Sequence, residues 1–151
     1  MRLVLYQPDI PQNVGAAIRL GACLGVGIDI VEPCGFVFDD RRLRRAALDY
    51  GDLADLVRYP SWQAFTAARP AGRVILLSTR GRTRSVDFAF AADDRIVLGQ
   101  ESGGVPAGVF ERADAVLRIP MVAAARSMNV VAAGAVALAE ALRQTEGWPK
   151  A

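Results

Sequence analysis

The residues best suited to chemistry lie in three short loops: Ser78-Thr79-Arg80-Gly81, Gly99-Gln-Glu101-Ser-Gly-Gly104 and Pro120-Met121-Val-Ala-Ala-Ala-Arg-Ser127-Met-Asn129. Each follows an apolar run, and small residues at such places let backbone N–H and C=O groups come close to a ligand. That arrangement suits a pocket that binds and aligns. It does not suit one that attacks. The chain has no histidine, which excludes Ser-His-Asp and Cys-His catalysis, His-ligated zinc and imidazole acid-base work. In Gly99-Gln-Glu-Ser102-Gly103 the serine is three residues after the glycine, one too many for a nucleophile elbow. No G-x-G-x-x-G occurs, so a standard dinucleotide loop is unsupported.

The loops need a scaffold, and the chain reads as alternating strand and helix. Apolar strands are expected at Leu3 to Tyr6, Ile28 to Val31, Val74 to Leu77, Ile96 to Leu98 and Val116 to Ile119. Asn13 could cap a helix to about Leu24, with Val14, Ala17, Ile18 and Ala22 spaced three to four apart and Gly25 to Gly27 as its stop. Asp39 could cap a basic helix to about Ala47, and Ser61 could start another. A last, uncharged helical stretch runs from Met128 to Ala139. Uniformly apolar strands alternating with helices predict an α/β fold, a single domain over 1–151 whose parallel sheet is covered by helices on both faces. Ligands then bind at the carboxyl ends of the strands, where the three loops lie.

Composition narrows the class. The 151 residues are 52% apolar, enough for a sizeable core. No stretch approaches the roughly 18 apolar residues of a membrane span, and the opening Met-Arg-Leu-Val-Leu-Tyr is too short for a signal peptide. A cytoplasmic protein without a membrane partner is expected. Cys23 and Cys34 are expected as reduced, partly buried thiols. Seventeen of eighteen cations are Arg, Lys150 being the other. Seven of the arginines form two clusters, Arg41, Arg42, Arg44, Arg45 and Arg80, Arg82, Arg84, which could be solvated faces or phosphate-binding patches.

Several segments together resemble a known family. They are Leu5-Tyr-Gln-Pro-Asp-Ile-Pro-Gln-Asn13-Val-Gly-Ala-Ala-Ile-Arg19, Glu32-Pro-Cys-Gly-Phe through Tyr50, the loop Gly99 to Pro106, and Ile119-Pro-Met-Val with Arg126-Ser-Met-Asn129. The chain resembles the SPOUT-class tRNA 2′-O-methyltransferases over nearly its whole length, and in particular their minimal subgroup acting on the wobble nucleotide, position 34. The resemblance implies a C-terminal trefoil knot, bound S-adenosylmethionine, a homodimer, the tRNA anticodon stem-loop as partner, and no metal.

Carried over by position, the cofactor pocket comprises Leu77, Gly99, Ile119 and Ser127, with Thr79, Glu101 and Met121 nearby. Ser127 could equally cap a helix, and Glu101 could simply favour a helix N-terminus. The resemblance gives Arg19 the central catalytic role. A guanidinium pKa lies above about 12, so a phosphate clamp that stabilises the developing alkoxide is the physically safer form of that role. Asn13 and Asn129 would orient loop and ribose, and the two Arg clusters would hold the RNA backbone. The face of Met128, Ala132, Ala135 and Ala139 could meet a second copy or pack within one subunit. Without the resemblance, the same residues also fit a catalytically silent RNA-binding module or a small-molecule nucleotide enzyme.

Overall fold

In the computed structural model, residues 1–37, 55–68 and 72–150 are described. Five apolar segments become strands where expected: β1 (Arg2–Tyr6), β2 (Gly27–Val31), β4 (Val74–Leu77), β6 (Arg95–Leu98) and β7 (Ala115–Arg118). Two more are added, β3 (Leu56–Tyr59) and β5 (Thr83–Arg84). Both carry exposed residues, and they occupy the two edges, where one-sided burial leaves no continuous apolar run to read. The sheet order is β3-β2-β1-β6-β4-β7-β5, and every pairing is parallel.

Side-chain alternation divides the core into two layers. Leu3, Leu5, Ile28, Ile30, Ile96 and Leu98 face one side, with Val14, Ala17 and Ile18 of α1 (Pro11–Leu24) and Ala137 and Leu138 of α4 (Val130–Gln144). Val4, Tyr6, Val31 and Val97 face the other, with Trp62 and Phe65 of α2 (Trp62–Ala68) and Val109 of α3 (Ala107–Phe110). Covering both faces is what a parallel sheet requires.

A charged cluster lies inside the second layer. Asp29 is fully buried and accepts from Arg2 Nε at 2.8 Å and from an Arg95 guanidinium nitrogen at 3.1 Å. Arg95 in turn lies over the Phe65 ring, 5.4 Å from its centroid. The cluster sits toward the amino ends of the strands, away from the three loops.

Helix boundaries correct three expectations. Asn13 does not cap α1: Ile10 is the N-cap residue and Pro11 takes the first turn, where its missing N–H costs nothing. Gly25 ends α1 in a left-handed conformation at φ 65, as expected of a stop glycine. Ser61 does cap α2, its hydroxyl accepting the Ala64 N–H at 3.1 Å. For α4 the cap is Asn129 rather than Ser127, so Met128 precedes the helix and the helix runs on through Glu140 and Arg143. Cys23 and Cys34 are free thiols, but Cys23 is exposed rather than partly buried. The helix expected from Asp39 lies outside the described residues.

Candidate active site

The strand order sets the site. Chain leaving β1 turns toward β2 on one side, and chain leaving the adjacent β6 turns toward β7 on the other. Such a switch point opens a crevice at the carboxyl edge. A cleft of about 770 Å³ lies there, walled by residues 76–80, 98–101, 103–105, 119, 121, 127–130 and 133, with Ile10 and Asn13 contributed by the segment after β1.

Each wall is shaped by glycine or by a short local bond. The loop after β6 closes on itself through Gln100 N–H to Gly104 O at 2.8 Å and Gly104 N–H to Gln100 O at 2.9 Å. Gly104 adopts φ 67, and a Cβ on Gly99 would lie 2.7 Å from the Gly104 carbonyl carbon. Only glycine lets that loop fold so tightly. The loop after β4 is tied to β7 by Ser78 N–H to Leu117 O at 2.8 Å. A Cβ on Gly81 would sit 2.5 Å from the Leu117 carbonyl carbon, so this crossing is also backbone on backbone.

All seven residues assigned to the cofactor by resemblance, Leu77, Thr79, Gly99, Glu101, Ile119, Met121 and Ser127, line this cleft, and so do Asn13 and Asn129. The two asparagines are engaged with the protein itself. Asn13 Nδ2 donates to Glu101 Oε1 at 2.8 Å, and Asn129 Nδ2 donates to Asn13 Oδ1 at 3.0 Å. Asn129 Oδ1 accepts from Val131 N–H at 2.9 Å and Ala132 N–H at 3.1 Å. The chain of bonds has one consistent direction, from the helix α4 cap through Asn13 to Glu101, and it fixes both amide orientations.

Arg19 is not among the cleft residues; it lies on an exposed part of α1. The three arginines of the second cluster have different surroundings. Arg80 lines the cleft and its guanidinium lies 4.8 Å over the Phe110 ring. Arg84 pairs with Asp87 at 2.5 Å, and Arg82 is exposed. Arg41, Arg42, Arg44 and Arg45 lie outside the described residues. Among the described residues no group of three or more His, Cys, Asp or Glu could hold a metal ion, and no helix is long and apolar enough to cross a membrane.

Sequence reasoning missed Asp9 and Ser102. The Asp9 carboxyl is held well below the usual range, at about 2, by hydrogen bonding to the Glu101 side chain first and then to the Ser102 hydroxyl and the N–H groups of Ser102 and Glu101. Its signal was available in principle: a carboxylate in the loop after the first strand, at the ligand edge of a parallel sheet.

Comparisons with known proteins point to one family. Residues 1–139 match the SpoU rRNA methylase family. The tRNA (cytidine(34)-2′-O)-methyltransferase of Ancylobacter novellus is 49% identical over 152 residues, spanning 99% of this chain and 96% of that protein. A solved structure described as giving insight into the 2-OH methylation of C/U34 on tRNA superposes with a TM-score of 0.90 at 41% identity, covering 95% of this chain and 94% of that one. The SpoU methyltransferase AviRb from Streptomyces viridochromogenes, in complex with AdoMet, superposes with a TM-score of 0.81 at 26% identity, covering 95% of this chain and 60% of that one. By matched residues, whole-length identity and shared fold, the chain belongs to the SpoU rRNA methylase family.

Proposed function

We propose that this protein transfers a methyl group from S-adenosylmethionine to the ribose 2′-hydroxyl of the wobble nucleotide of tRNA, position 34, cytidine or uridine. The observation that carries the reading is the convergence of three strand exits on one cleft of about 770 Å³, in a chain 49% identical over its length to a tRNA (cytidine(34)-2′-O)-methyltransferase.

The cleft fits the methyl donor by its own features. Its volume suits a nucleoside-sized ligand, and the missing Cβ of Gly99 keeps the loop backbone at its floor. Leu77, Ile119 and Met121 offer apolar walls, and Glu101 and Ser127 offer polar contacts. When bound, S-adenosylmethionine supplies a methyl already activated on a sulfonium. The protein therefore has to align a 2′-hydroxyl and manage one proton. Asn13, Asn129 and Glu101 hold the walls in register, and Thr79 and Ser127 stand at the open side of the cleft.

Arg19 lies outside the cleft of its own protomer, and a homodimer gives it a route to the ribose. Met128, which lines the cleft, is 39% exposed, and Val136 on α4 is 46% exposed. A second copy covering this face would lie beside the reacting ribose and could present its own Arg19 to the neighbouring phosphate. Arg19 then neutralises charge as the alkoxide develops, and a phosphate oxygen or water takes the proton. Arg80, Arg82, Arg84 and the Arg41 to Arg45 segment hold the anticodon stem-loop backbone.

The trefoil knot belongs to the same reading. It is supported by β7 lying between β4 and β5, by the backbone crossing at Gly81, and by the return of residues 119–129 around the cleft before α4 packs on β6. The same reading, an enzyme acting on tRNA, carries the expectation of a cytoplasmic protein.

The test is methyl transfer from labelled S-adenosylmethionine to tRNA lacking wobble ribose methylation, with the product nucleotide mapped by nuclease digestion and mass spectrometry. A 2′-O-methylpyrimidine at position 34 is expected. Methyl at another position moves the target, and cofactor binding without transfer favours a silent RNA-binding module.

A further inference from the structure

Asp9 does not line the cleft, yet it joins the two sides of the switch point. Its backbone N–H donates to Glu101 Oε2 at 3.0 Å. Its carboxylate accepts the Glu101 N–H on Oδ1 at 3.2 Å, the Ser102 N–H on Oδ2 at 3.2 Å, and the Ser102 hydroxyl on Oδ2. The bonds run in both directions between segments more than ninety residues apart in sequence. Asp9 is also braced from behind. Gly35 N–H donates to Pro8 O at 3.0 Å, and a Cβ on Gly35 would lie 2.7 Å from Asp9 Cβ and 2.9 Å from Asp9 Cα.

What these bonds contribute is separable from folding of the loop itself. The loop from Gln100 to Gly104 already closes through its own two backbone bonds, and β6 is fixed by its neighbours β1 and β4. The Asp9 bonds set only where the closed loop stands relative to the start of α1. That placement directs Glu101 toward Asn13 and sets Gly99 at the floor of the cleft.

We propose that Asp9 is a positioning residue for the methyl-donor site: its carboxylate holds the N–H groups of Glu101 and Ser102 and so locks the 99–104 loop against the entrance of α1 in the shape that accepts the donor. The proposal rests on the reading of the cleft as the S-adenosylmethionine site. Asp9 acts through the loop and touches neither donor nor RNA. Its loss therefore weakens donor binding while leaving the Michaelis constant for tRNA in place.

The experiment compares the full-length protein with its Asp9→Ala, Asp9→Asn and Gly35→Ala variants. It measures S-adenosylmethionine binding by calorimetry, the Michaelis constants for donor and tRNA separately, and the melting temperature. Asp9→Ala is expected to weaken donor binding about tenfold or more, the scale of losing charge-assisted hydrogen bonds. Asp9→Asn keeps an acceptor of the same shape and should fall between it and the parent. Gly35→Ala removes no group from the latch but pushes on Asp9, and it should shift donor affinity in the same direction. Unchanged donor affinity in all three variants, with the parent binding normally, overturns the proposal. So does a loss seen only in step with a fall in melting temperature, or an equal rise in the tRNA constant. Failure of the parent itself to bind S-adenosylmethionine removes the reading of the cleft and this proposal with it.

Discussion

Asn129 donates its Nδ2–H to Asn13 Oδ1 at 3.0 Å across 116 residues of sequence, tying the cap of α4 to the first turn of α1. The same asparagine accepts two N–H groups at the start of α4, so one side chain both begins a helix and joins two walls of the cleft.

These two roles can be separated by substitution. Asn129→Ala removes the cap and should lower stability by about 1 kcal/mol, read from urea denaturation. Asn129→Asp keeps the acceptor oxygen for the cap but sets a carboxylate against Asn13 Oδ1. Near-parental stability with reduced methyl transfer is the expected result for Asp, and full activity in that variant would deny the link to Asn13 any role in the site.

Close backbone packing at the floor of the cleft makes Gly99 intolerant of a side chain. A Cβ there would lie 2.7 to 2.8 Å from three Gly104 atoms. Gly99→Ala must open the loop, at about 1–3 kcal/mol if the core responds as other overpacked sites do, and calorimetry should show weakened binding of S-adenosylmethionine. Gly108, whose Cβ would meet nothing within 4 Å, is the control, and Gly108→Ala should be tolerated.

Two carboxyls held below their ordinary range predict that the fold loses stability in acid. Asp9 is lowered from 3.8 to about 2, through Glu101 and then Ser102, and Glu140 from 4.5 to about 2, through Arg143 and then Gln144. A folded-state value below the unfolded one means the stability from these groups is complete above the unfolded values and lost as pH falls through about 2. Melting temperature should therefore decline as pH is taken from about 5 toward 2. Asp9→Asn and Glu140→Gln together should flatten part of that decline, and an unaltered profile would show that the two carboxyls are not the titrating groups.

RNA affinity should depend on salt through the arginines. Paired removal at Arg41 and Arg42 should raise the Michaelis constant for tRNA and lower the salt slope by up to about two, without changing donor affinity. Arg80→Lys keeps the charge but loses the planar fork that lies over Phe110. A rise in the tRNA constant for that variant, at unchanged salt slope, would separate stacking from phosphate contact.

The parts of this protein legible in its sequence are those set by near neighbours. Central strands such as Ile28 to Val31 show as apolar runs because they are buried on both faces. The end of α1 shows because Gly25 alone tolerates φ 65 there, and Ser61 shows because its cap reaches only three residues along. Edge strands β3 and β5 are not legible: the four residues of β3 alternate between exposed and half-buried, and both residues of β5 are exposed. Asn13 illustrates a different failure. Its type and place suit a local cap, but its partners are Glu101 and Asn129, which no local pattern can reveal.

By itself, the sequence determined the class of the fold, the positions of its central strands, the absence of imidazole chemistry and the three glycine- and serine-bearing loops from which a binding site had to be built. Tertiary structure decided which loops meet. The strand order places β6 between β1 and β4 and β7 beyond β4, so residues near 10, 77, 99, 119 and 129 converge on one cleft. It also left Arg19 outside that cleft and made Asp9 the latch beside it. The reason is physical: propensity, capping and burial pattern act over a few residues, whereas a site at a sheet's switch point depends on strand pairing and packing between segments about a hundred residues apart.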